Sequence, residues 1–117
     1  MKRREAEARG RRAELYAATW LRAKGWRILD GRVKTPHGEI DLIAKRGKIV
    51  AFVEVKARRT MDEAERSLDE YRLRRVADAA RSLVHEYAKN GEDVRIDAVY
   101  VAPGRLPRHL ENVWQGG

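Results

Sequence analysis

Apolar positions along the chain recur first at helical spacing, then in strand-like runs, then at helical spacing again, and finally in one more strand-like run. From Arg11 to Lys24, Ala13, Ala17, Trp20 and Leu21 fall near a 3.6-residue period, arginines fill the rest of the turn, and Gly25 stands where a helix would stop. Trp26 to Val33 alternates loosely and meets Asp30-Gly31, which predicts a strand ending in or interrupted by a turn or bulge. After the breaker cluster Thr35-Pro36-His37-Gly38, two β-rich runs, 39–45 and 48–57, are joined by Arg46-Gly47 in the pattern of a tight hairpin. Residues 58–66 are polar and without apolar period, which predicts a mobile loop; Thr60 to Glu63 and Ser67 to Glu70 have the spacing of capping boxes. From Asp69 to Lys89, Leu73, Val76, Ala77, Ala80, Leu83, Val84 and Tyr87 keep the helical period until Asn90-Gly91 ends it. Val94 to Ala102 reads as a buried strand closed by Pro103-Gly104, and residues 105–117 predict no regular structure.

The predicted order is αβββαβ. Both faces of the central hairpin are apolar, so the expected architecture is α/β, one mixed sheet with a helix on each side. Length and the absence of any low-complexity break predict a single domain, 1–117, with a flexible basic N-terminus at 1–10.

The hairpin carries more charge than a core element should. With Arg46-Gly47 as a two-residue turn, Lys45 faces Lys48, Ile43 faces Val50, Asp41 faces Phe52 and Glu39 faces Glu54. Lys56 shares that face, while Ile40, Leu42, Ala44, Ala51, Val53 and Val55 point the other way. Glu39, Asp41, Glu54 and Lys56 therefore gather at the open end. Carboxylates placed together and partly buried are destabilising unless a cation sits among them. A divalent metal fits, since Mg²⁺ takes one or two carboxylates, a carbonyl, and otherwise water and phosphate oxygens. The plainer alternative pairs Glu39 with Lys56 or an arginine and leaves the rest a solvated strand end.

Charge narrows the partner. Lys and Arg number 26 against 18 Asp and Glu, for a net charge of +8, and residues 1–34 hold eleven basic and four acidic residues. That imbalance predicts a polyanionic partner, with nucleic acid first, against a basic surface kept for solubility. No cysteine is present, which excludes a disulfide framework and a cysteine-rich zinc site. No apolar run approaches a membrane span, and the basic start leads into no signal-peptide core, so the expected setting is cytoplasmic.

An acidic residue followed about a dozen positions on by Glu-x-Lys resembles the PD-(D/E)xK nuclease superfamily, whose core has the same αβββαβ order. More specifically, Gly10, Glu14, Ala17, Leu21 and Gly25, then Gly38-Glu-Ile-Asp-Leu-Ile43, Phe52-Val-Glu-Val-Lys56 with Arg58, Arg95-Ile-Asp97 and His109-Leu-Glu-Asn112 resemble the YraN family of predicted endonucleases. The first helix and the two strands are also similar to archaeal Holliday junction resolvases. The resemblance implies that Asp41, Glu54 and the Val55 carbonyl bind Mg²⁺ or Mn²⁺, that Lys56 is the catalytic lysine, and that Glu14 completes the site. Glu39 is a motif residue without an assigned role. Two positions depart from the pattern. Arg72 stands where the family has lysine, which preserves a phosphate contact and rules out proton transfer, and Ile40 rather than proline precedes Asp41.

Among the remaining residues, His37, His85 and His109 are too scattered for a metal cluster, and only His37 lies near enough to touch substrate. Asp97, beside Arg95 in an apolar strand, reads as a structural hydrogen-bonding partner, and Trp20, Trp26 and Trp114 as core or cover. Arg58, Arg59 and Arg72 are candidates to grip phosphate; Arg74 and Arg75 read equally well as a solvated helix face. The leading expectation is an Mg²⁺- or Mn²⁺-dependent endonuclease acting on DNA, at branched or damaged structures, with a homodimer as an option. The runner-up is a basic DNA-binding or repair-accessory module without turnover, and RNA stays open as a substrate.

Overall fold

The computed structural model describes residues 2–115; the side chains of 2–7 and 9, part of the stretch expected to be a flexible N-terminus, lie outside the described residues. Helix α1 (Lys2–Ala23) begins well before Arg11. It ends as the glycine predicted: Gly25 takes φ +95°, its N–H donates to the Arg22 carbonyl at 3.0 Å, and the Trp26 N–H donates to the Leu21 carbonyl at 2.9 Å. Those two bonds satisfy carbonyls that a helix end leaves open, and they fold Trp26 back against Leu21.

Strands β1 (Arg27–Thr35), β2 (Gly38–Arg46), β3 (Ile49–Ala57), β4 (Asp93–Val101) and β5 (Arg108–Leu110) form one sheet in sequence order. Only β3 and β4 run parallel. The architecture is thus mixed α/β with a five-stranded sheet flanked by helices, compatible with the expected αβββαβ core. The bulge expected at Asp30-Gly31 lies between Ile28 and Asp30.

Helix α1 covers one face, packing Ala17, Ala18 and Leu21 on Trp26, Leu42, Ala44, Ala51, Val53 and Val99. Its alanines let the helix approach the strands closely. Helix α3 (Glu70–Tyr87), capped by the Asp69 carboxylate on the Arg72 N–H at 2.9 Å, covers the other face with Val76, Ala77, Ala80 and Leu83 on Ile43, Val50, Phe52 and Ile96. The expected loop 58–66 contains a helix instead, α2 (Met61–Arg66), whose Thr60 hydroxyl caps the Glu63 N–H at 3.1 Å. It is too short to show a period, and its buried Ala64 packs against Ala98 and Tyr100.

The hairpin register differs from the expected one. Arg46 pairs with Ile49, Lys45 with Val50 and Ile43 with Phe52, so the turn residues are Gly47-Lys48. Gly47 has φ +60°, the left-handed value that glycine supplies at the first central position of a tight hairpin, and this moves the turn one residue along. The resulting slip is even, so the two strands keep their relative faces.

Asp97 is wholly buried on the α1 side and is the structural partner expected. Its carboxylate accepts from Arg95 at 2.9 and 3.1 Å and from the Asn112 N–H at 2.9 Å, and meets His109 Nε2 at 2.8 Å. The arginine and histidine both pack on Trp26. Residues 105–115, which showed no period, are fastened here and by β5. Burial pushes the Asp97 carboxyl up, but its bonds from His109, Arg95 and Asn112 hold it below the usual range. A depressed carboxyl stabilises the fold above the unfolded-state value, and that contribution is lost as pH falls through the folded value. Asp97→Asn is expected to cost about 3 kcal/mol and to flatten the acid limb of stability against pH; urea unfolding from neutral pH down to about pH 2 checks both.

Candidate functional site

The site begins where β2 leaves β3. Strand β3 keeps β4 beside it as far as Ala57 and Val101, but its ladder with β2 ends at Leu42 and Val53. Continued, that register would set Asp41 against Glu54, Ile40 against Val55 and Glu39 against Lys56, rather than Glu39 against Glu54 as expected. Ile40 instead joins Ile43 in the α3-side core, contrary to its expected place beside Leu42, and so breaks the alternation around Asp41. The Val55 N–H donates to Asp41 Oδ2 at 2.8 Å, so a carboxylate stands in for the missing backbone acceptor. An antiparallel residue turns its N–H and its C=O toward the same neighbour, and the Val55 carbonyl therefore opens on the same gap. On the far side of β2, Arg32 lies between the pairs Gly31–Leu42 and Val33–Ile40 with φ +52°, and its Nε donates to Glu14 Oε1 at 2.7 Å.

The gap widens into a cleft of about 1380 Å³. It brings together Glu14 from α1, Glu39, Asp41, Glu54, Val55 and Lys56 from the hairpin, Arg58 and Arg59 after β3, and Arg72 at the start of α3. His37 is absent from its lining; it is exposed in the β1–β2 turn, with its N–H bonded to the Thr35 hydroxyl. Arg75 lines the cleft, whereas Arg74 pairs with Glu70. Gly38 lies beside Arg75, and its φ of +144°, which residues with a side chain rarely adopt, is what calls for glycine there. The cleft also takes in Arg12, Tyr16, Tyr71 and Arg105, which carried no motif. No spacing in the sequence signals them, since Arg12 and Tyr16 stand two residues from Glu14 and Tyr71 one residue from Arg72, separations that do not share a helix face.

A family model described as uncharacterised protein family UPF0102 matches residues 13–101. The chain belongs to the UPF0102 family. Relatives bearing that family's name include one from Erythrobacter litoralis, 63% identical over 98% of this chain and 99% of its own length. Another, from Sphingopyxis alaskensis, is 55% identical over the same shares, and one from Caulobacter vibrioides is 49% identical over 92% of this chain and 86% of its own. The matched span of this UPF0102 chain contains Glu14, the whole hairpin, Arg72 and Arg75.

Within the UPF0102 cleft Glu54 and Lys56 lie deep, Asp41 and Glu14 are half-buried, and Glu39 is exposed with the arginines at the rim. Glu54 and Lys56 are 8% and 6% exposed, with Lys56 Nζ 3.9 Å from Glu54 Oε2, while Arg12, Arg58, Arg59, Arg72, Arg75 and Arg105 are exposed. Burial, then the hydrogen bond and charge of Glu54, push the Asp41 carboxyl up to about 8, against the pull of the Val55 N–H and Lys56. Burial likewise draws the Lys56 ammonium down, opposed by Glu54 and reinforced by Arg72. Glu14 is raised by burial and by Asp41 in spite of its bond to Arg32.

Such an acid pair has the chemistry of a divalent-ion site. Asp41, Glu54 and the Val55 carbonyl are hard oxygen donors in number enough for Mg²⁺, which keeps much of its water. Among the described residues no three metal-binding side chains come together, and Glu14 is paired with Arg32.

A carboxyl raised on folding favours the folded state below its unfolded-state value, and this is lost as pH climbs through the folded value near 8. Asp41→Asn is therefore expected to raise the melting temperature of metal-free protein by a few degrees at about pH 9 and by much less at about pH 4. Calorimetry at the two pH values checks the difference, and an equal change at both would remove the basis for a strained acid pair.

Proposed function

We propose that this chain is a metal-dependent endonuclease that hydrolyses DNA phosphodiester bonds at branched or damaged structures, in the manner of the PD-(D/E)xK and YraN proteins its motifs resemble. The observation that carries this reading is the half-buried Asp41 set against Glu54, which is buried with Lys56 beneath a rim of exposed arginines. Asp41, Glu54 and the Val55 carbonyl would hold Mg²⁺ or Mn²⁺, with Glu14 as the further acid. The ion, when bound, polarises a phosphoryl oxygen and lowers the pKa of water.

The chain's own groups supply the rest. The arginine rim binds phosphates on either side of the scissile bond, and Arg72 does so without exchanging a proton. Attack by water oxygen on phosphorus forms one P–O bond as the bond to the leaving strand breaks. Lys56, with its pKa lowered by burial, takes the water proton as an amine or offsets the gathering negative charge as an ammonium. A rate that rises with pH through the lysine's titration belongs to the first role, and one that falls belongs to the second.

One observation favours a second reading, a DNA-binding module without turnover. Glu14 is engaged by Arg32 at 2.7 Å and does not complete a three-acid cluster. The two are separated by assaying branched, single-stranded and duplex DNA with Mg²⁺ and with Mn²⁺. Lys56→Ala and Asp41→Ala are each expected to lower the cleavage rate about 100-fold or more while leaving the fold intact by circular dichroism. Purified wild type that never cuts any substrate, together with variants that bind DNA as tightly as wild type in EDTA, would establish the module instead.

A further inference from the structure

The chain has four tyrosines. Two serve the fold: Tyr87 bonds Asp30 across the α3 edge at 2.6 Å, and Tyr100 is buried under α2. The other two, Tyr16 and Tyr71, are 43% and 69% exposed and make no side-chain hydrogen bond among the described residues. Both line the cleft, Tyr16 from α1 and Tyr71 from the first turn of α3, so they reach it from the two opposite faces of the sheet. Single exposed aromatics are ordinary on protein surfaces. Two at one cleft whose rim is arginine are a different arrangement, because cationic groups tracking a backbone beside open aromatic rings are how single-stranded nucleic acid is held.

We infer that Tyr16 and Tyr71 are stacking platforms for unpaired bases, and that the cleft selects an unpaired or splayed strand over intact duplex. The layout of charge fits that ligand. Arg12 stands one helical turn before Tyr16 on α1, and Arg72 follows Tyr71 on α3, so each element that brings a ring to the cleft also brings a phosphate-binding arginine to its lining. The acids Asp41 and Glu54 would repel an acidic peptide drawn to the same arginines, whereas a nucleic-acid strand presents phosphates to the rim and neutral π faces to the rings. Paired bases are stacked on one another and offer no such face. The inference rests on the reading of the cleft as a nucleic-acid site and adds which form of the strand it takes.

Binding in EDTA of a fluorescent single-stranded oligonucleotide and of the matching blunt duplex tests this without turnover. Wild type is expected to prefer the single strand, and Tyr71→Ala and Tyr16→Ala each to weaken single-strand binding about fivefold or more, with a smaller loss on duplex. Tyr71→Phe is expected to restore the wild-type affinity, which a role for the hydroxyl would not allow. Equal affinity of wild type for both forms, or alanine variants that bind the single strand as wild type does, would overturn the inference. Because no cleavage is measured, a protein that binds in this way and never cuts sinks the hydrolase alone, and one that cuts with tyrosine-independent binding sinks the stacking role alone.

Discussion

The site depends on one interaction, the bond from the Val55 N–H to the Asp41 carboxylate at the rung where β2 leaves β3. A strand whose neighbour departs inside a covered sheet is left with a donor that has no partner, at a cost of about 1–3 kcal/mol. Here the departing strand leaves a side chain behind to take the donor. The same bond fixes where the carboxylate lies, beside Glu54, and leaves the Val55 carbonyl facing the gap. Strand β4 supports this by pairing with β3 without interruption from Ile49 to Ala57, so that Glu54 and Lys56 stay in register while β2 turns away. Parting strands and steady strand together make the cleft.

Much of this was legible in the sequence, for reasons that also mark where legibility ended. Strand parity survives an even slip in register, so the common face of Glu54 and Lys56 could be read from the hairpin although its turn was placed one residue early, whereas Asp41 reaches them through the gap between the strands. The register itself was decided by the left-handed φ of Gly47, which the dipeptide Arg46-Gly47 does not assign to a turn position. Ile40 escaped its expected face because alternation holds only along a regular strand, and β2 ceases to be regular at Asp41. Helix α2 escaped because six residues are too few for a hydrophobic period, and its anchors are one buried alanine, the half-buried Met61 and the Glu65–Arg108 pair. Arg105, Tyr16 and Tyr71 are brought to the cleft by tertiary packing, which spacing along the chain does not encode.

The polar residues of the sheet show how the same burial can serve opposite ends. Asp97 and Asp41 lie on the strands flanking β3, and Val53 pairs with Asp97 on one side and with Leu42, the neighbour of Asp41, on the other. Asp97 is surrounded by a guanidinium, an imidazole and a backbone donor, and its carboxyl is held low; what it gains is the anchoring of the C-terminal segment against Trp26. Asp41 is given one backbone donor and a second carboxylate, and its carboxyl is driven up.

A fold that supplies a full set of partners to one buried aspartate has the means to supply them to the other. Arginines stand in the neighbouring elements: Arg32, on β1 between the pairs that flank Asp41, is spent on Glu14, and Arg72 of the same cleft bears on Lys56. The bond from the Val55 N–H does not itself require Asp41 to confront Glu54, since an asparagine could accept it equally well. The acid in place of the amide adds a titratable group and an oxygen donor to the floor of the cleft, and the divalent cation of the proposed function would use that donor.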